Sequence, residues 1–533
     1  MFKVYPLGSG QEVGRSCVML TIYDKTIMLD CGLHMTHQDN RRFPDFSLIE
    51  EKLGRKYVDL VLITHFHLDH CGALPYFTEL YGNGYNGPVV MSMPTKALLP
   101  YMLEDYRRIW TMPKEDQQFQ QQPSQQDFSI NPQIKTDPLL IYDHENIKSC
   151  VNKVQVIGLY ETQNFDGVEV TAYYAGHLLG ACMFHVKYKN VSVVYTGDYN
   201  SIADRHLGGA YIDQLQPDLV ISESTYATII RDSKRTRERN FLMHVQEVLD
   251  RGGKVLIPVF ALGRAQELSV LLESYWQRTK CKAGLYYAAG LIEKANQYYK
   301  IFTGWESEKI QQSFLDDNIF NFKYIQPFDR NLIKSPLSMV LLATPGMLHG
   351  GLSMQVFKEW CGCANNSLVI PGYCVPGTLG NKLLAGIKHV RIDNKDYDIK
   401  MQINNMSFSA HADSRGIIQL VNHLQPKSIA FVHGEYHRMK TLGAEIIDKI
   451  QIRVDCPANF ELLEYEKILS IDRPLTIKGE FNKNMKGYLL EYKGQMVLLS
   501  DENDIMKEVN QLLGIMQSEQ GYMRQYKITG YLL

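Results

Sequence analysis

Cysteine is scarce and unpatterned in this chain. Its 533 residues carry 10 cysteines with no Cys-x-x-Cys spacing, and Cys361 and Cys363 form the one close couple. That excludes a paired-thiolate zinc module and argues for free thiols in a reducing compartment. No apolar run is long enough to cross a bilayer, so no membrane role is expected, and the stretch from Met1 to Gly8 lacks the apolar segment of a secretory leader. An excess of charge of one sign is also missing. Lys and Arg number 56 against 58 Asp and Glu, for a net charge of -2. Without a global basic field, a polyanionic substrate has to be held by local basic clusters or by metal ions. What remains is ordinary globular composition, 45% hydrophobic and 21% charged, at a length that allows two large domains or one carrying an insertion.

Histidines are sparse as well, 16 in all, which makes one segment stand out. His65-Phe66-His67-Leu68-Asp69-His70 follows the apolar run Val58-Asp59-Leu60-Val61-Leu62-Ile63. Four metal-capable side chains at the end of a buried strand exceed the needs of a single ion. In extended backbone His65 and His67 share a face; Asp69 and His70, past the corner, can serve a second ion. Three further candidates stand alone in sequence: His177 in Gly176-His177-Leu178-Leu179-Gly180, Asp198 after Gly197, and His433 at the end of Ser428-Ile429-Ala430-Phe431-Val432. Together they balance. His65, His67, His177 and Asp198 make one set; Asp69, His70, His433 and a shared Asp198 make another. Two cations about 3.5–4 Å apart around a shared hydroxide suit in-line attack on phosphorus. Asp30, after Thr26-Ile27-Met28-Leu29, is cast as the residue that orients the water or a ligand imidazole.

Two acid–base candidates remain. Glu223 ends the strand Leu219-Val220-Ile221, and His411 sits among the small residues of Ser409-Ala410-His411-Ala412. A carboxylate bonded to an imidazole raises the imidazole pKa and makes a general acid, but the sequence alone does not bring the two together. The basic run Arg231, Lys234, Arg235, Arg237 and Arg239 can grip phosphates or form a solvated helix face. Gly263-Arg264 at a helix start and Lys382 after Gly377-Thr378-Leu379-Gly380 are further phosphate candidates.

Strands are expected at Ser16–Ile22, Thr26–Asp30, Val58–Thr64, Val89–Ser92, Glu169–Tyr174, Cys182–Tyr188 and Ser192–Thr196, several ending in a candidate ligand. Between Thr111 and Ile147 the pattern collapses into a Gln-rich surface excursion. From about Asp213 strands alternate with helices, as in a parallel sheet, with a strand at Gly253–Phe260 and a helix at Ala265–Trp276. Past Met401 the first texture returns, and the last seventy or so residues read as a small α+β docking piece.

The hexapeptide, Asp30, His177 and Asp198 resemble the ligand motifs of the metallo-β-lactamase fold. Glu223, His411 and His433 resemble the three extra motifs of its β-CASP nucleic-acid-processing branch. Within that branch the chain is similar to the RNA 3′-end-processing endonucleases of the Integrator type. Asp30-Cys31-Gly32-Leu33-His34-Met35, Arg41-Arg42-Phe43-Pro44, Leu103-Glu104-Asp105-Tyr106-Arg107, Glu223-Ser224-Thr225-Tyr226 and Gly346-Met347-Leu348-His349-Gly350-Gly351 carry that likeness. The endonucleases of pre-mRNA cleavage and polyadenylation are the near alternative. The resemblance implies an α/β protein: a metallo-β-lactamase αββα sandwich (1–210 and 396–455), an inserted parallel-sheet β-CASP domain (211–395) and a C-terminal appendage (456–533). It implies two zinc ions, Glu223–His411 as the acid pair and an RNA substrate. A nuclear RNA-processing complex with a homologous inactive partner subunit follows from the same likeness. A small-molecule metallohydrolase and a non-catalytic scaffold are the competing classes; the inserted cap disfavours the first, the complete ligand set the second. The Gln-rich stretch has no counterpart in the family, and the region past about 455 looks shorter than in relatives.

Overall fold

A computed structural model describes residues 2–35, 37, 39–49, 58–111, 141–288, 290–313, 318–374, 377–466, 488–492 and 495–499. Strands β1 (Phe2–Gly8), β2 (Cys17–Ile22), β3 (Lys25–Leu29), β4 (Leu60–Leu62), β5 (Val89–Met91) and β6 (Val154–Val156) lie side by side in that order. The first three pair antiparallel, as their short connections allow; β3 to β6 run parallel. Buried Val, Ile, Leu and Met fill these strands on both faces, the pattern of a sheet covered on each side.

The second sheet holds β7 (Thr162–Phe165), β8 (Val168–Tyr174), β9 (Cys182–Tyr188), β10 (Val191–Tyr195) and β11 (Leu219–Glu223). The chain then leaves to build a third sheet from β12 (Val255–Pro258), β13 (Gly284–Tyr287), β14 (Ile325–Pro327), β15 (Met339–Ala343) and β16 (Ser367–Ile370). A hairpin of β17 (His389–Ile392) and β18 (Lys395–Asp398) precedes its last strand, β19 (Gln402–Asn405). All six strands of this third sheet, ordered β14-β13-β15-β12-β16-β19, are parallel. On its return the chain completes the second sheet with β20 (Ser428–Val432) and β21 (Arg453–Asp455). β20 pairs directly with β11, Glu223 opposite Val432, so the insertion departs and returns on neighbouring strands.

Strand pairing bears on where the domains divide. A boundary at residue 210 cuts off β11, whose parallel bonds to β10 and β20 tie it to the sandwich. A return at 396 claims β19, which is bonded to β16 of the inserted sheet. Nor does an appendage begin at 456: Asn459 accepts the Gly10 N–H at 2.7 Å and donates to Glu12, and Lys3 pairs with Glu464. Further on, Tyr488–Tyr492 and Gln495–Leu499 form an antiparallel hairpin; the rest of that stretch lies outside the described residues. Most of the Gln-rich excursion also lies outside them, but its end at Ile147 was set too far. Asp143 caps the helix His144–Asn152, and Ile141 and Tyr142 are buried. The 10 cysteines are free thiols, and no described helix is long and apolar enough to cross a membrane.

Candidate metal centre and active site

The site gathers where strands end. Asp30 directly follows β3, Thr64-His65 come just past β4 and Gly197-Asp198 just past β10, Glu223 ends β11, and His433 directly follows β20. Asp30 and His433 both take a left-handed turn, with φ of 60° and 54°, to bring the chain off the sheet and the side chain inward. Gly197 takes φ 49°, and a Cβ there would stand 2.6 Å from Thr64 Cβ, so a bare backbone is what lets Asp198 pass beside the His65 segment.

Asp30 is fully buried and serves as an anchor. It accepts the Thr64 N–H at 2.7 Å, the Thr64 hydroxyl at 2.9 Å and the Tyr195 hydroxyl at 2.8 Å, and it lies 2.8 Å from His70 Nδ1. With the Thr64 hydroxyl proton committed to Asp30, its oxygen takes a proton from His65 Nδ1 at 3.0 Å. The same logic fixes His433: Thr225 donates to Glu223 at 2.7 Å and so accepts from His433 Nδ1 at 2.9 Å. His177 Nδ1 donates to the Ala410 carbonyl at 2.8 Å. In each ring Nδ1 holds the proton and Nε2 is left with a bare lone pair.

Those lone pairs face one another and face carboxylates. His65 Nε2 and His177 Nε2 lie 3.2 and 3.3 Å from His67 Nδ1, and each is 3.8 Å from Asp198 Oδ2. His70 Nε2 is 3.3 Å from Asp198 Oδ2, and His433 Nε2 is 3.4 Å from Asp69 Oδ2. Asp198 Oδ1 is buried and makes no hydrogen bond. Acceptors converging with too few protons between them are the donor set of cations, and the residues present fit a metal pair. The ligand atoms of His65, His67, His177 and Asp198 lie within 4.8 Å of one another, as do those of Asp69, His70 and His433. Burial, aided by neighbouring imidazoles, holds His65 and His177 well below the usual histidine value, and it takes His67 down to about 4. Neutral imidazole is the form that ligates. Burial opposes charge on His70 too, but Asp198, Asp30 and Asp69 outweigh it and hold that ring above its usual value.

Glu223 and His411 do meet. His411 Nδ1 lies 2.8 Å from Glu223 Oε2, whose other oxygen accepts the Tyr199 N–H at 2.9 Å. Burial disfavours charge on His411, yet Glu223 and Asp198 prevail and raise its pKa above the ordinary value. The rim comes from the insertion: the Phe260 ring is 6.1 Å from that of His67.

Two of the expected phosphate contacts are corrected. The Arg231 guanidinium is buried and donates to the Ser409 and His411 carbonyls, while Arg264 donates to the Phe408 carbonyl at 2.5 Å and to Asp204 at 3.0 Å. Both guanidinium groups are turned to main-chain carbonyls, and the buried Arg231 Nε makes no hydrogen bond. At the helix start the Gly263 N–H is occupied by the Gln266 side chain. Lys234 points to the Ala203 carbonyl at 3.4 Å, Arg235 is exposed and Lys382 is half-buried. The residues that sequence reasoning passed over are Thr64, Tyr195, Thr225 and the Ala410 carbonyl, which set the tautomers. Thr225 could have been noticed, standing two residues after Glu223.

Comparison with known proteins agrees with this geometry. Residues 19–229 match the metallo-beta-lactamase superfamily domain, 265–383 the Beta-Casp domain, and 396–457 the Zn-dependent metallo-hydrolase RNA specificity domain. Integrator complex subunit 11 of Gallus gallus is 50% identical over 463 residues, covering 86% of this chain and 73% of the relative. The Integrator complex subunit 11 homolog of Dictyostelium discoideum is 48% identical over 509 residues, 92% of this chain and 64% of the relative. The cleavage and polyadenylation specificity factor subunit 3-II of Arabidopsis thaliana is 45% identical, over 86% and 72% of the two chains. A sandwich with a parallel-sheet insertion, a His/Asp metal cluster at its strand ends and half-identity over most of its length place this chain in the metallo-β-lactamase/β-CASP family of RNA-cleaving metallohydrolases, on the Integrator complex subunit 11 branch.

Proposed function

We propose that the chain is the cleaving subunit of an Integrator-type RNA 3′-end-processing complex in the nucleus, that its metals are two zinc ions, and that it works beside a homologous inactive subunit. His65, His67, His177 and Asp198 would hold one ion, and Asp69, His70, His433 and the shared Asp198 the other. Bound there, zinc would supply Lewis acidity toward a phosphodiester and lower the pKa of water. Asp30 fixes His70 and, through Thr64, His65, so both rings keep the tautomer that presents a bare Nε2.

His411 is the proton donor to the departing ribose oxygen. Its Nδ1 is engaged by Glu223, which stabilises the imidazolium and leaves Nε2 as the atom that gives up its proton. RNA enters between the sandwich and the inserted sheet, where Phe260 excludes water beside His67. The observation that carries the reading is the Glu223–His411 pair standing next to Asp198, with His411 Nδ1 3.6 Å from Asp198 Oδ2. A small-molecule metallohydrolase has no use for that pair under a cap. The deciding experiment is cleavage of a generic RNA by the purified chain, with and without its partner subunit, against a chelator control. Zinc-dependent internal cuts support the proposal; chelator-insensitive cleavage, or none even in the complex, rejects it.

A further inference from the structure

The loop Ser407–His411 has every main-chain carbonyl engaged by a cationic or imidazole side chain. Arg237 donates to the carbonyl of Ser407 at 2.8 Å and Arg264 to that of Phe408. Arg231 bridges the carbonyls of Ser409 and His411, while His177 Nδ1 takes that of Ala410. On its other edge the loop donates its Met406 and Phe408 N–H groups to Ile370 and Pro371, at the exit of β16. Asp413, which caps the helix Ser414–Leu424, also accepts the Arg231 N–H at 3.1 Å. Four charge-assisted bonds and one from a neutral imidazole on five consecutive carbonyls go beyond what a turn needs for its own stability.

We infer that Arg231, Arg237 and Arg264 form a clamp that positions His411 for proton transfer, and that they act through this loop without touching RNA. The inference rests on the acid role proposed for His411. All three arginines belong to the chain between β11 and β19, so the excursion that carries the inserted sheet also sets the acid. Arg231 is the centre of the device. Its two prongs straddle Ala410, whose carbonyl holds a ligand imidazole, and end on the peptide of His411 itself. A lysine offers one compact point of charge and cannot span both carbonyls.

The test uses the full-length, zinc-loaded chain in its complex, cutting one RNA under single-turnover conditions. Arg231→Ala is expected to slow cleavage at saturating RNA by about 10²-fold, the cost of misplacing a reacting group by an ångström. Its RNA Kd and the salt dependence of that Kd should stay unchanged, and Arg231→Lys should recover little of the rate. In a His411→Ala background the same substitution should add nothing further, because the two residues act as a unit. Arg237→Ala, which trims one end of the clamp at a partly exposed residue, gives a smaller loss of the same kind and serves if Arg231→Ala does not fold. Weaker RNA binding with a shallower salt slope would mean phosphate contact and overturn the clamp. So would a slowing equally large in the His411→Ala background. If His411→Ala itself leaves the rate intact, the acid role fails; if it slows cleavage while Arg231→Ala and Arg237→Ala do not, only the clamp fails.

Discussion

His411 Nδ1 lies 2.8 Å from Glu223 Oε2 although 188 positions separate the two in the chain. The pairing exists because the chain comes back to the end of β11 before it enters the helix Ser414–Leu424, with Tyr226 and Asp413 in a parallel bridge. His411→Ala should therefore slow RNA cleavage by about 10²–10⁴-fold, the usual reach of general acid catalysis. Single-turnover kinetics with matched RNA affinity give the measurement; an unchanged rate removes His411 from the reaction.

Asp69 and His70 leave the hexapeptide toward His433. Replacing both with Ala should abolish cleavage while circular dichroism keeps the wild-type profile. The metal count should fall from about two per chain, the number a dinuclear site needs. Retained cleavage, or a wild-type chain that binds only one ion, counts against the assignment.

Thr225 is a relay between the acid pair and a ligand, donating to Glu223 and accepting from His433. Thr225→Val keeps the volume and deletes the relay. Metal affinity or activity should drop about 10–100-fold, as for other residues that orient ligand imidazoles. Competition titration against a zinc chelator reads the affinity, and equal affinities together with equal rates would dismiss the relay.

Gly197→Ala tests the close approach behind Asp198. The added methyl meets Thr64 at 2.6 Å in a left-handed backbone conformation. The strain should cost on the order of 1–3 kcal/mol of stability and displace Asp198. A lowered midpoint in thermal unfolding, together with lost metal, is the expected result; an unchanged midpoint speaks against the constraint.

Much of the metal site was legible because its ligands announce themselves locally. His65, His67, Asp69 and His70 fall within six residues, and Asp198 and His433 come at or just past the end of apolar strand runs. Strand positions came within a residue or two for the same reason, as with Cys182–Tyr188, while the helix Arg264–Thr279 runs three residues past its expected end. The seven-residue β1 and the short strands β6 and β7 escaped notice; β7 is half exposed and offers no apolar pattern. The arginines were misread for a different cause. Charge in a sequence says that a cation is present, and only the fold says whether a carbonyl or a phosphate will meet it. Arg231 and Arg264 donate to internal carbonyls, which no spacing rule foretells. Sheet membership is hidden likewise, since β11 and β19 choose their sheets by partners distant in the chain.

One consequence follows from Tyr226 and Asp413, where the excursion leaves and returns, forming a parallel bridge. An excursion whose two ends are already neighbours imposes little loop-closure penalty on its host, however long it grows. The sandwich can therefore accept a large lid without loosening, and the lid is rooted on the very strands whose tips hold the reactive groups. Any swing of the lid about those roots would be felt first by the proton donor, which couples substrate access to chemical competence.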